Sequence, residues 1–314
     1  SVASGSNSTA SGYGANAGGY SSSAFGNAAN AGGNFATAVG KGAQATGTAD
    51  VAMGDYASAT GYYSLAAGTL SNASGYASVA LGQQASAAGF ESTATGVLAS
   101  AGGVQSTANG AFSNASGDYS VAFGLRATAT NTDSSSFGKD SVSTGFGASA
   151  IGPRAHSYAD DSTAVGFHSA TTTAGIAGTA VGFYATAANY NAVAIGSNSY
   201  SSGQGSAAIG SLAVATGDLS LAAGYSAFAT GANSTAVGNT SYASGDYSTA
   251  VGSNAYASGY GATALGENAQ ATGDNSTALG ENSTASGLNS IAAGYNANAA
   301  GDDSVAVGNG AYAG

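Results

Sequence analysis

The sequence lacks most of the residues on which ordinary globular domains depend. It has no Cys and no Trp, one Pro and one Met, and only 6% of its residues are charged. Without Cys the chain can form no disulfide, no thiolate nucleophile and no Cys-type zinc site. Large apolar side chains are too few to fill a thick core. An ordinary globular domain is therefore disfavoured, and repetition is the alternative to test.

Positive charge is also scarce. The chain has four Lys and Arg against 15 Asp and Glu, for a net charge of −11, and residues 155–314 contain no Lys or Arg. Nucleic acid and anionic membranes are bound through basic patches, so both are disfavoured as partners. No apolar run approaches the length of about 18 residues that spans a bilayer. No basic-then-apolar leader follows Ser1, and we expect targeting and anchoring regions to lie elsewhere.

Glycine is abundant, with 52 residues, and its spacing is regular. It recurs at every seventh position over residues 5–166, with Asn131 and Ala159 as exceptions, and over residues 182–308, with Asn189 as the exception. Asn tolerates a positive φ better than most residues do. We therefore expect a positive φ along this glycine series.

The repeating unit is 14 residues long because alternate glycines have different neighbours. A large apolar residue usually precedes a glycine of the first class, and a small residue precedes one of the second class. Residues 248–261 form a representative unit. Within each half the side chains alternate with period two, as in a β-strand, and the small residues share one face. The sequence predicts an all-β fold, a parallel β-solenoid of 14-residue coils, each with a first and a second strand.

The repeat has one irregular place. Two additional residues fall within residues 167–175. We predict regular coils over residues 1–166, an irregular coil with a two-residue insertion over residues 167–175, and regular coils over residues 176–314. All of these coils are expected to belong to one continuous solenoid.

An apolar column follows the outer side of the first strands, and so thin a coil cannot cover it. A long exposed apolar stripe indicates an interface, so we predict an obligate homo-oligomer with this column at its core. The spacing does not determine the copy number. The predicted core residues are Val165, Val181, Ile195, Ile209, Val237, Val251, Leu265, Leu279 and Val307.

The repeats resemble the head domains of trimeric autotransporter adhesins such as the Yersinia adhesin, whose repeats read Asn-Ser-Val-Ala-Ile-Gly-x-x-Ser. Close matches begin at Asn191, Asn233 and Asn275, and the resemblance covers essentially the whole chain. It implies a left-handed parallel β-roll, a homotrimer, and display on the bacterial outer membrane as a virulence-associated adhesin. It also implies binding of matrix proteins such as collagen, or of surface glycans. The neck, stalk and anchor of the family are missing from this segment.

One column of the second strands becomes aromatic. Five consecutive coils place Tyr200, Val214, Phe228, Tyr242 and Tyr256 at a position that is otherwise mostly small and polar. A ladder of rings suits stacking on a sugar or gripping an extended peptide. The alternative is that stacked aromatics only stabilise neighbouring strands. This ladder is the candidate ligand site.

Two other groups of residues are interpreted as structural or solubilising rather than as binding sites. Pro153, Arg154, both His residues and the Asp160–Asp161 pair gather near the insertion, where an irregular coil is favoured over a metal or pH-sensing site. Asp follows the second-class glycine at positions 218, 246, 274 and 302, about 10 Å apart, too far for one cation to bridge. These Asp residues are predicted to aid solubility. No metal site and no cofactor are predicted.

The predicted function is attachment rather than catalysis. The chain has only two His residues, and nothing in their spacing supports a catalytic arrangement with Ser and Asp. The favoured hypothesis is the head of a surface-displayed adhesin, extracellular and anchored through other regions. A trimeric bacteriophage fibre for host attachment and a rigid structural spacer are the alternatives. An ice-binding role for the outer Ser and Thr residues of the second strands, such as Thr216 and Thr230, is weaker because Ser is mixed in.

Overall fold

A computed structural model describes residues 1–314, in which short β-strands are joined by turns and no helix occurs. The chain divides into two compact units, Ser1–Ala155 and His156–Gly314. In each unit a three-residue strand, the first strand of a coil, alternates with a two-residue second strand. The predicted all-β parallel solenoid is confirmed. The chain has no helical segment with the length and apolarity that a membrane crossing requires.

Strands are numbered in chain order. The first strands of the first unit are β2 (Thr9–Ser11), β4 (Ser23–Phe25), β6 (Thr37–Val39), β8 (Val51–Met53), β10 (Leu65–Ala67), β12 (Val79–Leu81), β14 (Thr93–Thr95), β16 (Thr107–Asn109), β18 (Val121–Phe123), β20 (Ser135–Phe137) and β22 (Ser149–Ile151). Its second strands are β1 (Val2–Ala3), β3 (Asn16–Ala17), β5 (Asn30–Ala31), β7 (Gln44–Ala45), β9 (Ser58–Ala59), β11 (Asn72–Ala73), β13 (Ser86–Ala87), β15 (Ser100–Ala101), β17 (Asn114–Ala115), β19 (Thr128–Ala129) and β21 (Val142–Ser143).

The second unit continues the alternation. Its first strands are β24 (Thr163–Val165), β26 (Thr179–Val181), β28 (Val193–Ile195), β30 (Ala207–Ile209), β32 (Leu221–Ala223), β34 (Thr235–Val237), β36 (Thr249–Val251), β38 (Thr263–Leu265), β40 (Thr277–Leu279), β42 (Ile291–Ala293) and β44 (Val305–Val307). Its second strands are β23 (His156–Ser157), β25 (Ala170–Thr171), β27 (Thr186–Ala187), β29 (Tyr200–Ser201), β31 (Val214–Ala215), β33 (Phe228–Ala229), β35 (Tyr242–Ala243), β37 (Tyr256–Ala257), β39 (Gln270–Ala271), β41 (Thr284–Ala285), β43 (Asn298–Ala299) and β45 (Tyr312–Ala313).

Both kinds of strand pair in parallel with their equivalents in the next coil. In the first unit Thr9 pairs with Ser23, and Asn16 pairs with Asn30 at a separation of 14 residues. Backbone hydrogen bonds join the coils; Thr9 N donates to Ser22 O at 2.9 Å, for example. The second unit has the same register, as the pair Tyr242 and Tyr256 shows. The predicted 14-residue coil is therefore confirmed.

Alanine fills the interior of the coils. The middle residue of the first strand and the last residue of the second strand point inward, and at most of these positions an Ala is completely buried, as at Ala24 and Ala31 in the first unit and at Ala250 and Ala257 in the second. Each buried methyl group contributes about 0.8 kcal/mol. Larger side chains would push the two sheets apart, so the outward positions are left to hold the large residues.

The two classes of glycine are needed for different reasons. Gly40, of the first class, has φ +130°, and a Cβ there would lie 2.4 Å from Gly54 O in the next coil. Gly75, of the second class, has no positive φ, but a Cβ would lie 1.9 Å from Gly89 O. Close approach of successive coils therefore demands glycine at both places, and backbone conformation demands it only at the first.

The expectation of a positive φ at Asn131 and Asn189 is wrong. Neither residue adopts one. Their side chains bond to the next coil instead, with Asn131 Nδ2 donating to Thr144 O at 3.3 Å and Asn189 Nδ2 donating to Ser202 O at 3.0 Å. The left-handed residues lie two positions after each glycine of the series, as at Tyr56 after Gly54. Most of these left-handed residues are not glycine, so the glycine pattern did not reveal them.

The irregular coil lies in the second unit. Ser157 and Thr171 are 14 residues apart in neighbouring coils, whereas Thr172 Oγ1 donates to Ala188 O across 16 residues. The additional residues lie between β25 and β26, where Gly178 N donates to Gly175 O at 2.7 Å. Ser157 and Thr171 replace alanine inside these neighbouring coils, and their hydroxyl groups form a buried cluster with Ser162.

Candidate functional site

Charge is confined to the turns. Every Asp, Glu, Lys and Arg lies in a turn except Asp50, which is buried. The outward residues of the first strands, here called the first-strand face, include no charged side chain. The outward residues of the second strands, here called the second-strand face, include no Asp, Glu, Lys or Arg. Each coil therefore presents two uncharged faces on opposite sides of its alanine interior. The candidate sites are parts of these faces.

The first-strand face of the second unit contains the predicted core column. Parallel pairing places Val181 beside Ile195, Ile195 beside Ile209, and Leu265 beside Leu279. In the isolated chain Leu279 is 48% exposed and the other members are half-buried or exposed. The column has gaps at Ala223 and Ala293, where Leu221 and Ile291 occupy the other outward position of the same strand. Each coil thus offers a large apolar side chain at one of two places.

The first unit has a similar face. Phe25, Val39, Met53, Phe123, Phe137 and Ile151 are exposed along it. Two successive strands, β14 and β16, interrupt it with Thr and Asn at every outward position. The apolar face is therefore a property of both units, with a polar break in the first.

The predicted ladder lies on β29, β31, β33, β35 and β37. Their register places Tyr200, Val214, Phe228, Tyr242 and Tyr256 one above another. The rings of Tyr242 and Tyr256 stack at 5.3 Å and 8°, whereas Phe228 and Tyr242 lie at 5.9 Å and 45°. Val214 separates Tyr200 from the other rings. Since the stacked rings cover each other's faces, this part of the ladder presents ring edges and hydroxyl groups to solvent.

Hydroxyl groups accompany the ladder. The residue two positions after each ladder member points to the same side of the strand. These residues are Ser202, Thr216, Thr230, Ser244 and Ser258. The second-strand face of these coils therefore combines ring edges with a column of donors and acceptors, a combination that can contact a sugar or an extended peptide.

The Asp series has a local structural role that the sequence did not reveal. Asp246 Oδ1 accepts a hydrogen bond at 2.8 Å from Ala232 N, one coil earlier. Asp218, Asp274 and Asp302 bond in the same way to Gln204 N, Tyr260 N and Leu288 N. None of these amides donates to a backbone carbonyl. The carboxylates therefore satisfy turn amides, and Asn34 does the same for Tyr20 N in the first unit.

The residues gathered near the insertion fall into both units. Pro153 and Arg154 end the first unit, and the His and Asp residues belong to the second. His156 Nδ1 lies 2.9 Å from Tyr158 Oη. Burial lowers the pKa of His156, and the charge of His168 lowers this pKa further. No group of three or more His, Asp and Glu side chains in the chain is arranged so that it could hold a metal ion.

A four-ring cluster next to the insertion was missed. Phe167 and Phe183 stack at 5.6 Å, His168 and Tyr184 stack at 4.8 Å, and the two stacks meet edge to face. The rings lie in successive turns, one and two positions after a first-class glycine. The signal in the sequence is a pair of adjacent rings at the same place in two successive coils, Phe167-His168 and Phe183-Tyr184.

Two charged groups of the first unit were also missed. Arg126 donates through Nε to Asp140 Oδ1 at 2.6 Å, and this hydrogen bond holds the pKa of Asp140 below its ordinary value. Asp50 is completely buried and accepts hydrogen bonds from Gly47 N at 2.7 Å and from Ser64 N and Oγ at 2.9 Å. In the sequence, Asp50 is the one acidic residue at an inward position that holds a small residue in the other coils. The bonds of Asp50 all run within its own and the next coil, which indicates a structural role.

A model described as the YadA head domain repeat, in two copies, matches most of the chain. The matched residues are 3–29, 17–43, 45–71, 59–85, 73–99, 101–127, 115–141, 143–169, 174–199, 201–227, 229–255, 257–283 and 285–311. No protein with a curated description matches the chain.

Proposed function

The chain belongs to the YadA head domain repeat family, and from this premise we propose that it is the head segment of a trimeric adhesin displayed on a cell surface. In this proposal the solenoid is a left-handed β-roll, and three copies associate through their first-strand faces. The head attaches to host matrix, cells or other surfaces, and regions outside this segment anchor it. The observation that supports the proposal most is the first-strand face.

Two properties of this face favour another copy of the chain as its partner. Its large side chains are exposed, with Ile195 at 40%, Ile209 at 43% and Phe123 at 52%. Removing such area from water contributes about 25 cal/mol per Å². The face has no charge, whereas the chain as a whole has a net charge of −11. Identical copies repel one another least where no charge is present, so association through the first-strand face is favoured.

Attachment is assigned to the opposite face. If three first-strand faces are buried together, the second-strand faces point outward and remain accessible. The ladder of Tyr200, Val214, Phe228, Tyr242 and Tyr256 is the one place in the second unit where a run of large side chains lies on that face beside a hydroxyl column. Three ladders per trimer would give avidity to individually weak contacts. The proposed ligand is an extracellular-matrix protein such as collagen, or a surface glycan.

The assembly is tested by the absolute mass of the chain in solution, measured by light scattering after size exclusion. We expect three times the 29.3 kDa of one chain. A folded monomer would contradict the trimer, and with it the argument that the second-strand face is the outward one.

The attachment site is tested by binding to immobilised collagen and to a glycan panel. The double variant Tyr242→Ser/Tyr256→Ser removes the stacked pair, and we expect an apparent affinity at least about tenfold lower because the loss is repeated in each copy. The matched control is Tyr247→Ser/Tyr260→Ser, which removes a ring pair at 5.4 Å in the turns of the same region. The control should bind like the unsubstituted chain.

The alternatives predict other results. A trimer that binds neither surface in any form would favour the spacer. A trimer that binds bacterial envelopes but no host material would favour the phage fibre. Binding that survives loss of both ladder tyrosines would remove the ladder as the site while leaving the adhesin proposal intact.

A further inference from the structure

The polar break in the first-strand face of the first unit has no explanation within one chain. At Thr93, Thr95, Thr107 and Asn109 the outward residues of β14 and β16 are all polar. In register, Leu81 precedes this break and Phe123 follows it. The Asn109 side-chain amide makes no hydrogen bond within the chain and is half-buried. In the isolated chain water can reach this amide, and in an assembly that buries the face another copy would have to supply its partner.

A repetitive interface has an alignment problem. Successive coils are about 4.8 Å apart and have the same backbone. Val39, Met53 and Leu81 occupy equivalent places on the face, so copies shifted by one coil would bury nearly the same apolar area. Apolar contact alone therefore distinguishes poorly between aligned and shifted copies.

We propose that the polar break, Thr93 to Asn109, sets the axial alignment of the copies in the trimer. This inference rests on the proposed trimer. In aligned copies the Asn109 amides lie at one level, where amides can donate and accept among themselves. Between two copies shifted by one coil, one Asn109 amide faces the Phe123 ring and the other faces Thr95, so the contact between Asn109 amides is lost and one amide meets an apolar ring. A single buried Asn fixes register in coiled coils at a cost in stability, and the same physics applies here.

A second mark of shape supports the same alignment. On β10 of the first unit the large outward residue, Leu65, stands at the first position of the strand, and the small one, Ala67, stands at the third position. Its neighbours β8 and β12 have their larger side chain, Met53 or Leu81, at the other outward position. Copies in register present their displaced leucines at one level, whereas shifted copies oppose unlike shapes. Shape and polarity therefore favour the same alignment.

Cysteine reporters can measure the alignment because the chain has no cysteine of its own. Val39→Cys and Met53→Cys place thiols at equivalent positions of neighbouring coils. Chains with Val39→Cys and chains with Met53→Cys are refolded together and mildly oxidised. One of the two kinds is lengthened by a tag, so that the linked products differ in size. Products linked 39 to 39 and 53 to 53 report aligned copies, and products linked 39 to 53 report a shift of one coil.

Thr95→Val/Asn109→Val removes the polar side chains that interrupt the apolar column, and it leaves Thr93 and Thr107, whose position also holds Thr in β6 and β24. The control is Ser135→Val/Ser149→Val, which adds two valines to the same face and leaves the break in place. In the unsubstituted background and in the control we expect links between equal positions. In the valine variant we expect the 39-to-53 product to rise about tenfold or more, together with a higher melting temperature.

The outcomes distinguish a failure of the alignment role of the polar break from a failure of the trimer. A monomeric mass with no disulfide of any kind would refute the trimer itself. A trimer whose valine variant remains aligned, or whose unsubstituted form already gives equal amounts of both products, would refute the role of the break. If the control shifts as much as the variant, added apolar area rather than lost polarity is the cause, and the inference also fails.

Discussion

The coils of the two units have the same backbone conformation, but different residues occupy their left-handed turn positions. In the first unit these positions hold bulky residues such as Tyr63, Leu70, Leu98 and Phe112. In the second unit, from Asn254 onward, they hold mostly Asn, Asp and Gly. Left-handed backbone costs an ordinary residue roughly 1–2 kcal/mol, and costs Gly and Asn less. The same fold is therefore reached at different local cost in the two units.

Different contacts offset this cost. In the first unit turn rings contact one another, as do Tyr63 and Tyr76 at 5.8 Å, and Tyr76 stacks with Phe90 at 5.1 Å. In the second unit Asn268 Nδ2 donates to Asn282 Oδ1 at 3.2 Å, and such amides form a ladder along the turns. Ring contact between coils thus accompanies bulky turn residues of the first unit, whereas intrinsic preference and amide bonding maintain the turns of the second unit from Asn254 onward.

The largest expected effect tests what the units have in common. Gly75→Ala in the first unit and Gly231→Ala in the second both place a Cβ close to a backbone carbonyl, 1.9 Å from Gly89 O and 2.1 Å from Gly245 O. We expect each to cost about 3 kcal/mol or more in unfolding free energy, measured by urea titration. Gly102→Ala is the control, since Gly102 has no positive φ and its Cβ would meet nothing closer than 3.9 Å. A loss as large for Gly102 would show that close approach to the next coil is not the cause.

The intermediate effect tests the difference between the units. Leu70→Asn and Leu98→Asn should each stabilise the first unit by about 0.5 kcal/mol, because Asn tolerates the left-handed conformation. Asn254→Leu and Asn282→Leu should each destabilise the second unit by about 1 kcal/mol. Chemical denaturation monitored by hydrogen exchange assigns each change to its unit.

Leu125→Asn is the control for this exchange, because Leu125 is an exposed turn leucine outside the left-handed region. It should have little effect. If Leu70→Asn is as destabilising as Asn254→Leu, contacts of the bulky side chains outweigh the strain, and the proposed difference in cost between the units is wrong.

The smallest effect is a difference in acid response. His156 in the second unit has a lowered pKa, mainly through burial, so the folded state favours the neutral ring. Its contribution is present above the unfolded pKa of about 6.5 and is lost as pH falls through the lower folded value. Asp140 in the first unit also has a lowered pKa, through its bond with Arg126. Its contribution is lost only as pH falls below the unfolded pKa of about 3.9.

The second unit should therefore weaken first on acidification. Melting curves between about pH 7 and pH 5 should show a small loss that His156→Gln abolishes. Arg126→Gln should lower the melting temperature by a small amount that is the same across that window, and should change the shape of the profile only in stronger acid. A pH profile that is identical with and without His156 would contradict the assignment.

The sequence predicted the coil but not its turns. Glycine every seventh residue and strict alternation of small residues specify thin parallel coils, because only those residues fit between backbones so close together. The left-handed positions were missed because Tyr56 or Leu98 has no local preference for that conformation; coil stacking imposes it. The Asp246 bond to Ala232 N and the Phe167 cluster depend on the approach of neighbouring coils, which no single repeat reveals. The core column and the Tyr200 ladder remain predictions as to function.

The hydrogen bonds that join successive coils also determine how a unit responds to mechanical force. They run from each coil to the next, so tension along their direction loads one coil at a time rather than all coils at once. Releasing a 14-residue coil frees roughly 45 Å of chain, at about 3.3 Å per residue. A single chain would therefore yield stepwise at low force and lengthen greatly. Burial of the first-strand face against other copies would resist this peeling, since each released coil would also have to expose its apolar side chains to water.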